Sequence, residues 1–140
     1  MEAPRLELAF EARVEIGAPL SAGRTDAGGE RRIVPILGGT VAGPRVEGRV
    51  VPGGADWQVL HEDGTVRLVA RYALELADGT VVAVTNGGVA RAGEGSSRYF
   101  RTTASFEVAD GPHGWLGRSV FVGTARVELP VVVLRFFEVL

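Results

Sequence analysis

Apolar and charged side chains alternate along residues 6–16. Leu6, Leu8, Phe10, Ala12, Val14 and Ile16 fall on one face, Arg5, Glu7, Glu11, Arg13 and Glu15 on the other, with Ala9 the one apolar member of the second set. A period of two belongs to a half-buried strand; a helix would scatter the same residues around its circumference. Residues 18–30 lose the alternation and carry Pro19, Gly23, Gly28 and Gly29 among Ser, Thr and Asp, so they read as a loop long enough to be a lid. Strand character resumes over 31–37. Over 45–51, Val46, Gly48 and Val50 oppose Arg45, Glu47 and Arg49, and Gly48 suggests a bend or a close approach.

From residue 56 to 89 the pattern is a meander. Residues 57–60 lead through Glu62-Asp63-Gly64-Thr65 into 66–76, and Ala77-Asp78-Gly79-Thr80 turns that strand into 81–89. Asp-Gly between alternating runs is a strong hairpin signal and implies antiparallel pairing. A glycine and serine loop over 92–97 precedes a strand over 99–108, Asp110-Gly111-Pro112-His113-Gly114 makes a further turn, and strands over 119–129 and 131–140 are divided at Pro130. No stretch shows a helical face. Strands this long suit a sheet that tilts and closes better than a sandwich, so the expectation is all-β: one closed antiparallel barrel of about eight to ten strands, spanning 1–140 as a single domain with an interior ligand pocket.

Composition narrows the function classes. With 46% hydrophobic and 23% charged residues, the 140-residue chain can bury a core. A net charge of -2 with Arg and Glu interspersed offers no footprint for nucleic acid, and neither a membrane-spanning apolar run nor a signal-peptide core is present, since Glu2, Arg5 and Glu7 interrupt residues 1–10. A cytoplasmic location is the expectation. The absence of cysteine excludes disulfides and thiolate-held metals, and His61 and His113 are isolated beside turns, so no metal is assigned. Gly38 to Gly43 lacks the lysine and the following helix of a phosphate cradle, no Gly-x-Ser-x-Gly elbow occurs, and no cofactor is expected.

The stretch Gly38-Gly39-Thr40-Val41-Ala42-Gly43-Pro44-Arg45-Val46-Glu47-Gly48, followed by Pro52-Gly53-Gly54-Ala55-Asp56-Trp57, resembles the bacterial and fungal family designated domain of unknown function 3237. Arg71-Tyr72, Asp78-Gly79, Asn86-Gly87-Gly88, Tyr99-Phe100-Arg101-Thr102, Phe106, Trp115-Leu116 and Phe121-Val122-Gly123 agree with it in order and spacing, over nearly the whole chain. The resemblance implies a small antiparallel β-barrel, broadly like barrel cyclases and dirigent-type proteins. Barrels of that kind host isomerases, cyclases, lyases and carriers, so the fold does not choose among them.

Polar residues within apolar strands mark where chemistry could sit. Asp56 beside Trp57 is the candidate base, since a carboxylate under an aromatic lid loses hydration; the alternative is that it ties a turn. Arg71 and Arg101 could present planar forks to a developing oxyanion, or Arg71 could join Arg67 and Glu75 in an outer ladder. Tyr72 and Tyr99 are candidate proton donors or positioning groups, and Asn86, before Gly87-Gly88, could be aimed at a ligand by a bulge. Trp57, Phe106 and Trp115, with Phe100 and Phe121, could wall an apolar pocket or pack as core. The leading expectation is a cofactor-independent isomerase, cyclase or lyase acting on a small carbonyl-containing or unsaturated organic molecule, with Asp56, Arg101 and Tyr72 catalytic. The rivals are a non-catalytic carrier and a self-associating structural module. The apolar residues of the final strand, Phe136-Phe137-Glu138-Val139-Leu140, leave room for a homo-oligomer.

Overall fold

A computed structural model describes residues 1–95 and 97–140. Nine strands follow in order: β1 (Leu6–Ile16), β2 (Leu20–Thr25), β3 (Gly29–Ala42), β4 (Glu47–Leu60), β5 (Val66–Leu76), β6 (Val81–Ala92), β7 (Arg98–Glu107), β8 (Val120–Glu128) and β9 (Val131–Val139), with one 3-10 turn at Gly114–Gly117 before β8. They form one antiparallel sheet in the order β1-β9-β8-β7-β6-β5-β4-β3-β2, and β1 also pairs with β3. That extra pairing closes the ring, so eight strands make the barrel and β2 is an appendage on β3. The closed all-β barrel expected from the sequence is therefore present. Among the described residues no helix is long and apolar enough to cross a membrane.

Strand β5 shows how sequence becomes wall. Val66, Leu68, Ala70, Tyr72, Leu74 and Leu76 are buried, while Arg67, Val69 and Arg71 face out. The turns on either side use Gly64 and Gly79 at φ +87°, with Asp63 and Asp78 accepting the backbone N–H of Thr65 and Thr80 at 2.9 and 3.0 Å. The carboxylates thus stabilise the turn that the glycine makes sterically possible.

Three expectations are corrected. Residues 18–30 are not a loop: β2 and the start of β3 form a hairpin there, with register slipping between Ser21 and Gly23. The runs 45–51 and 57–60 are one strand, β4, which carries Pro52-Gly53-Gly54 through a bulge between Val51 and Ala55. Leu6 and Leu8 do not share the core face with Phe10, because the register shifts between Leu8 and Phe10 and turns them outward. A bulge inserts one residue and reverses every later side chain, so the uniform alternation of 6–16 conceals it. The expected 92–97 loop includes Ser96, which lies outside the described residues.

The barrel interior is filled at one end and hollow at the other. Phe10, Phe106, Phe121 and Phe136 stack with ring centroids 4.9–5.6 Å apart, with Leu74, Val82 and Leu116 around them. Towards the end bearing the β1–β2, β4–β5 and β8–β9 connections, the inward positions shrink to Ala70, Gly88, Ala104 and Gly123, and the rings give way to space. Phe136 is wholly buried. Its replacement by Ala should cost about 3–5 kcal/mol, because the three remaining packed rings cannot collapse onto the void, and urea unfolding of the two proteins measures the difference.

Candidate functional site

The hollow half is a cavity of about 540 Å³, within the range of about 300–1,000 Å³ usual for small-molecule sites. Its lining is divided by strand. Strands β1, β8 and β9 contribute Val14, Ile16, Val127, Val132 and Leu134, an apolar wall. Strands β3 to β7 each insert polar groups: Arg32 from β3, Asp56 and Gln58 from β4, Tyr72 from β5, Asn86 from β6 and Thr102 from β7. Antiparallel register draws these into an arc. Arg32 lies opposite Gln58, Asp56 opposite Ala70, Ala70 opposite Asn86, and Gly88 opposite Thr102. Ala70 stands between Asp56 and Asn86, and Gly88 between Leu68 and Thr102, so the cross-strand neighbours of these polar groups include the small residues that leave room for the cavity. A Cβ on Gly88 would strike the Arg101 carbonyl oxygen at 2.5 Å, so the position admits glycine alone.

Five of these side chains carry a buried polar atom with no protein hydrogen-bond partner among the described residues: Arg32 Nε, Asp56 Oδ1, Tyr72 OH, Asn86 Oδ1 and Thr102 Oγ1. An unsatisfied buried group costs about 1–3 kcal/mol, and natural folds hold few of them. All five residues line the one cavity. The second oxygen of Asp56, Oδ2, accepts a hydrogen bond from Gln58 Nε2 at 2.8 Å. Burial raises the Asp56 carboxyl above its ordinary value of 3.8, and the Gln58 hydrogen bond and the Arg32 charge only partly oppose that rise. Burial also raises the Tyr72 phenol, and the negative charge of Asp56 adds to the effect. Tyr72 is the diagonal neighbour of Asp56 across the β4–β5 ladder.

Of the residues singled out from the sequence, Asp56, Tyr72 and Asn86 meet in this cavity. Asp56 sits within β4 and ties no turn. Trp57 is not its lid: consecutive strand residues point to opposite faces, and Trp57 lies outside, 49% exposed, under the Arg31 guanidinium. Arg71 and Arg101 are also outward, corrected from the expected interior, because Ala70 and Tyr72, and likewise Phe100 and Thr102, take the inner face of their strands. Tyr99 shares that outer face and stacks with Arg91 and Arg101. Phe106 belongs to the packed aromatic end, and Trp115 covers the closed end beneath Arg45; neither lines the cavity, whose one aromatic ring besides Tyr72 is Phe100. Arg32, Gln58 and Thr102 were missed. Arg32 shares parity with Val34 and Ile36, and Thr102 with Phe100, Ala104 and Phe106, so the alternation carried both signals. Among the described residues no group of three or more His, Cys, Asp or Glu is placed to hold a metal ion.

A β-barrel-like protein from Acinetobacter baumannii superposes with a TM-score of 0.95 at 28% identity, over 100% of this chain and 98% of that one. The UPF0311 protein of Clostridium acetobutylicum is 32% identical over 146 residues, 95% of this chain and 92% of the relative. The hydroalkoxylation enzyme phnH of Penicillium herquei is 27% identical over 136 residues, 97% of this chain and 84% of that enzyme, so an enzyme stands among the proteins this chain is similar to. Residues 4–139 match the family model described as protein of unknown function (DUF3237), and the chain belongs to that family.

Proposed function

We propose that the protein is a cofactor-independent enzyme that moves a proton on a small unsaturated or carbonyl-containing molecule, in an isomerisation, a cyclisation or an elimination. The observation that carries this reading is the convergence of five unsatisfied polar groups on a single cavity whose opposite wall is apolar. Asp56 is the proton carrier. The residue lines the cavity, one of its carboxylate oxygens has no hydrogen-bond partner among the described residues, and burial raises its pKa, the direction that suits a carboxyl which both takes and gives a proton. Tyr72, Asn86 and Thr102 hold the carbonyl or hydroxyl oxygen of the substrate, and Val14, Val132 and Leu134 exclude water from the reacting carbons.

The relative that is a hydroalkoxylation enzyme supports one form of this chemistry. A substrate hydroxyl oxygen bonds to one carbon of a C=C unit, the hydroxyl proton passes to the Asp56 carboxylate, and a proton from the carboxyl is delivered to the other carbon. Atoms balance without oxidant or reductant. The reverse sequence is an elimination, and removal and return of a proton at two carbons of one conjugated system is an isomerisation.

Native mass spectrometry of freshly purified protein should show a retained metabolite, which then serves as substrate in deuterated water. Wild-type protein is expected to place deuterium on a substrate carbon, and Asp56→Asn to lower that rate by about 100-fold or more with binding retained. Unchanged exchange would remove Asp56 from the chemistry and leave carriage as the function. Tyr72→Phe is expected to slow turnover by roughly tenfold, as one oxygen-holding hydrogen bond is lost.

The raised carboxyl pKa also predicts a stability signature. An acid whose pKa is higher folded than unfolded binds protons more tightly in the native state, so it stabilises the fold at low pH and that contribution is lost as pH rises from 3.8 through the folded value. Asp56→Asn should therefore match wild type in acid and exceed it in stability at neutral pH, as read by urea unfolding across pH. A difference that is independent of pH would contradict the buried, raised carboxyl.

A further inference from the structure

Arg32 has no role in the proton transfer described above, yet among the described residues it is the one basic side chain that lines the cavity. It sits on β3 with the parity of Val34 and Ile36, both buried, and faces Gln58 across the β3–β4 ladder. Its Nε–H is buried with no protein acceptor, and no ion pair within 4.0 Å involves it among the described residues. The neighbouring acids are engaged elsewhere: Glu30 accepts from Ser21, Glu62 pairs with Arg24, and Gln58 occupies one oxygen of Asp56. A guanidinium cannot shed its charge to relieve such a position, so its buried N–H calls for an acceptor, best an anionic one that matches the planar fork.

We propose that the cavity takes an amphiphile bearing an acidic oxygen group, a carboxylate or an ionised enol or phenol, and that Arg32 recognises it. This narrows the substrate class of the enzyme reading and rests on it. The acidic group lies against β3 and β4, and the apolar body of the molecule lies along Val14, Val132 and Leu134. The arrangement also serves the chemistry: an anion paired with Arg32 offsets the positive charge that lowers the Asp56 carboxyl, so Asp56, once it has taken the hydroxyl proton, holds it for delivery to carbon.

Two probes of equal shape separate recognition of the charge from occupancy of the cavity. Isothermal titration calorimetry is run with 4-butylbenzoate and its neutral isostere 4-butylbenzamide, against wild type, Arg32→Gln and Arg32→Lys. Cavity binding is read in parallel from the methyl resonances of Val14, Val132 and Leu134. Wild type is expected to prefer the benzoate by roughly tenfold or more, Arg32→Gln to bind both alike, and Arg32→Lys to keep part of the preference, since it restores charge without the fork. The Arg32 Nε–H resonance, assigned by its absence in Arg32→Gln, should shift with the benzoate alone. Equal affinity of wild type for the two probes, or a preference that survives in Arg32→Gln, overturns acid recognition and leaves the cavity a ligand site. Failure of both probes to perturb those methyl resonances overturns acid recognition together with the reading of the cavity as a binding site.

Discussion

The ladder between β1 and β3 holds the structure in its present form. Without it the remaining strands would be an open sheet, its concave face would be wet, and the polar groups of β3 to β7 would hydrogen-bond to water as ordinary surface residues. The seam runs from the Glu11–Ala42 pair to the Ile16–Ile36 pair and includes Val14 opposite Gly39. A Cβ on Gly39 would overlap the Arg13 carbonyl oxygen, and the residue adopts φ +144°, so two independent constraints require glycine at the point where the first strand meets the third. The register slip between Pro35 and Gly39 lets β3 serve β2 with its first half and β1 with its second. Closure at that slip converts a twisted sheet into a container.

A container of eight strands has an interior that side chains can fill, and at one end they do. The aromatic stack of Phe10, Phe106, Phe121 and Phe136 belongs to the larger core cluster, and the other end carries only the smaller cluster of Val66, Leu68, Ala90 and Phe100. Small residues and unsatisfied polar groups in a barrel core would be defects if stability were the only requirement. Confined to one half, beside a packed half that supports them, they form a site whose cost the fold can bear.

The sequence made the walls readable and hid the corners. Strands β5, β6 and β7 alternate cleanly, and their boundaries and turns follow from Asp-Gly pairs and side-chain parity. What failed failed at bulges. The slip after Leu8, the Pro52-Gly53-Gly54 bulge and the slip at Ser21 each shift phase within a strand, and in a single sequence glycine or proline at a bulge resembles one at a turn. The site was legible in proportion to parity. Asn86 is read inside from Val82 and Val84, whereas pairing Asp56 with Trp57 treated sequence neighbours as spatial ones, which a pleated strand forbids. For Arg101 the deciding pattern was the opposite set, Phe100, Thr102, Ala104 and Phe106, which is too apolar to face water and so fixes Arg101 outside.

The division of the lumen into a polar arc and an apolar wall follows from strand order, and it limits what chemistry the cavity can support. Strands β3 to β7 are contiguous in the sheet, so their inward polar residues fall on one side of the ring; β8, β9 and β1 are contiguous across from them and contribute only hydrocarbon to the cavity. Under the proposed function, a molecule spanning the lumen would be oriented before it reacts, with its oxygen functions towards Asp56, Tyr72 and Asn86 and its carbon skeleton opposite. Closure of the sheet also buries Asp56, and desolvation is the largest influence on that carboxyl. On the proposed function, orientation of the ligand and activation of the acid would share one physical origin, closure of the sheet, which sets the hydrocarbon side across from the polar arc and buries the carboxyl.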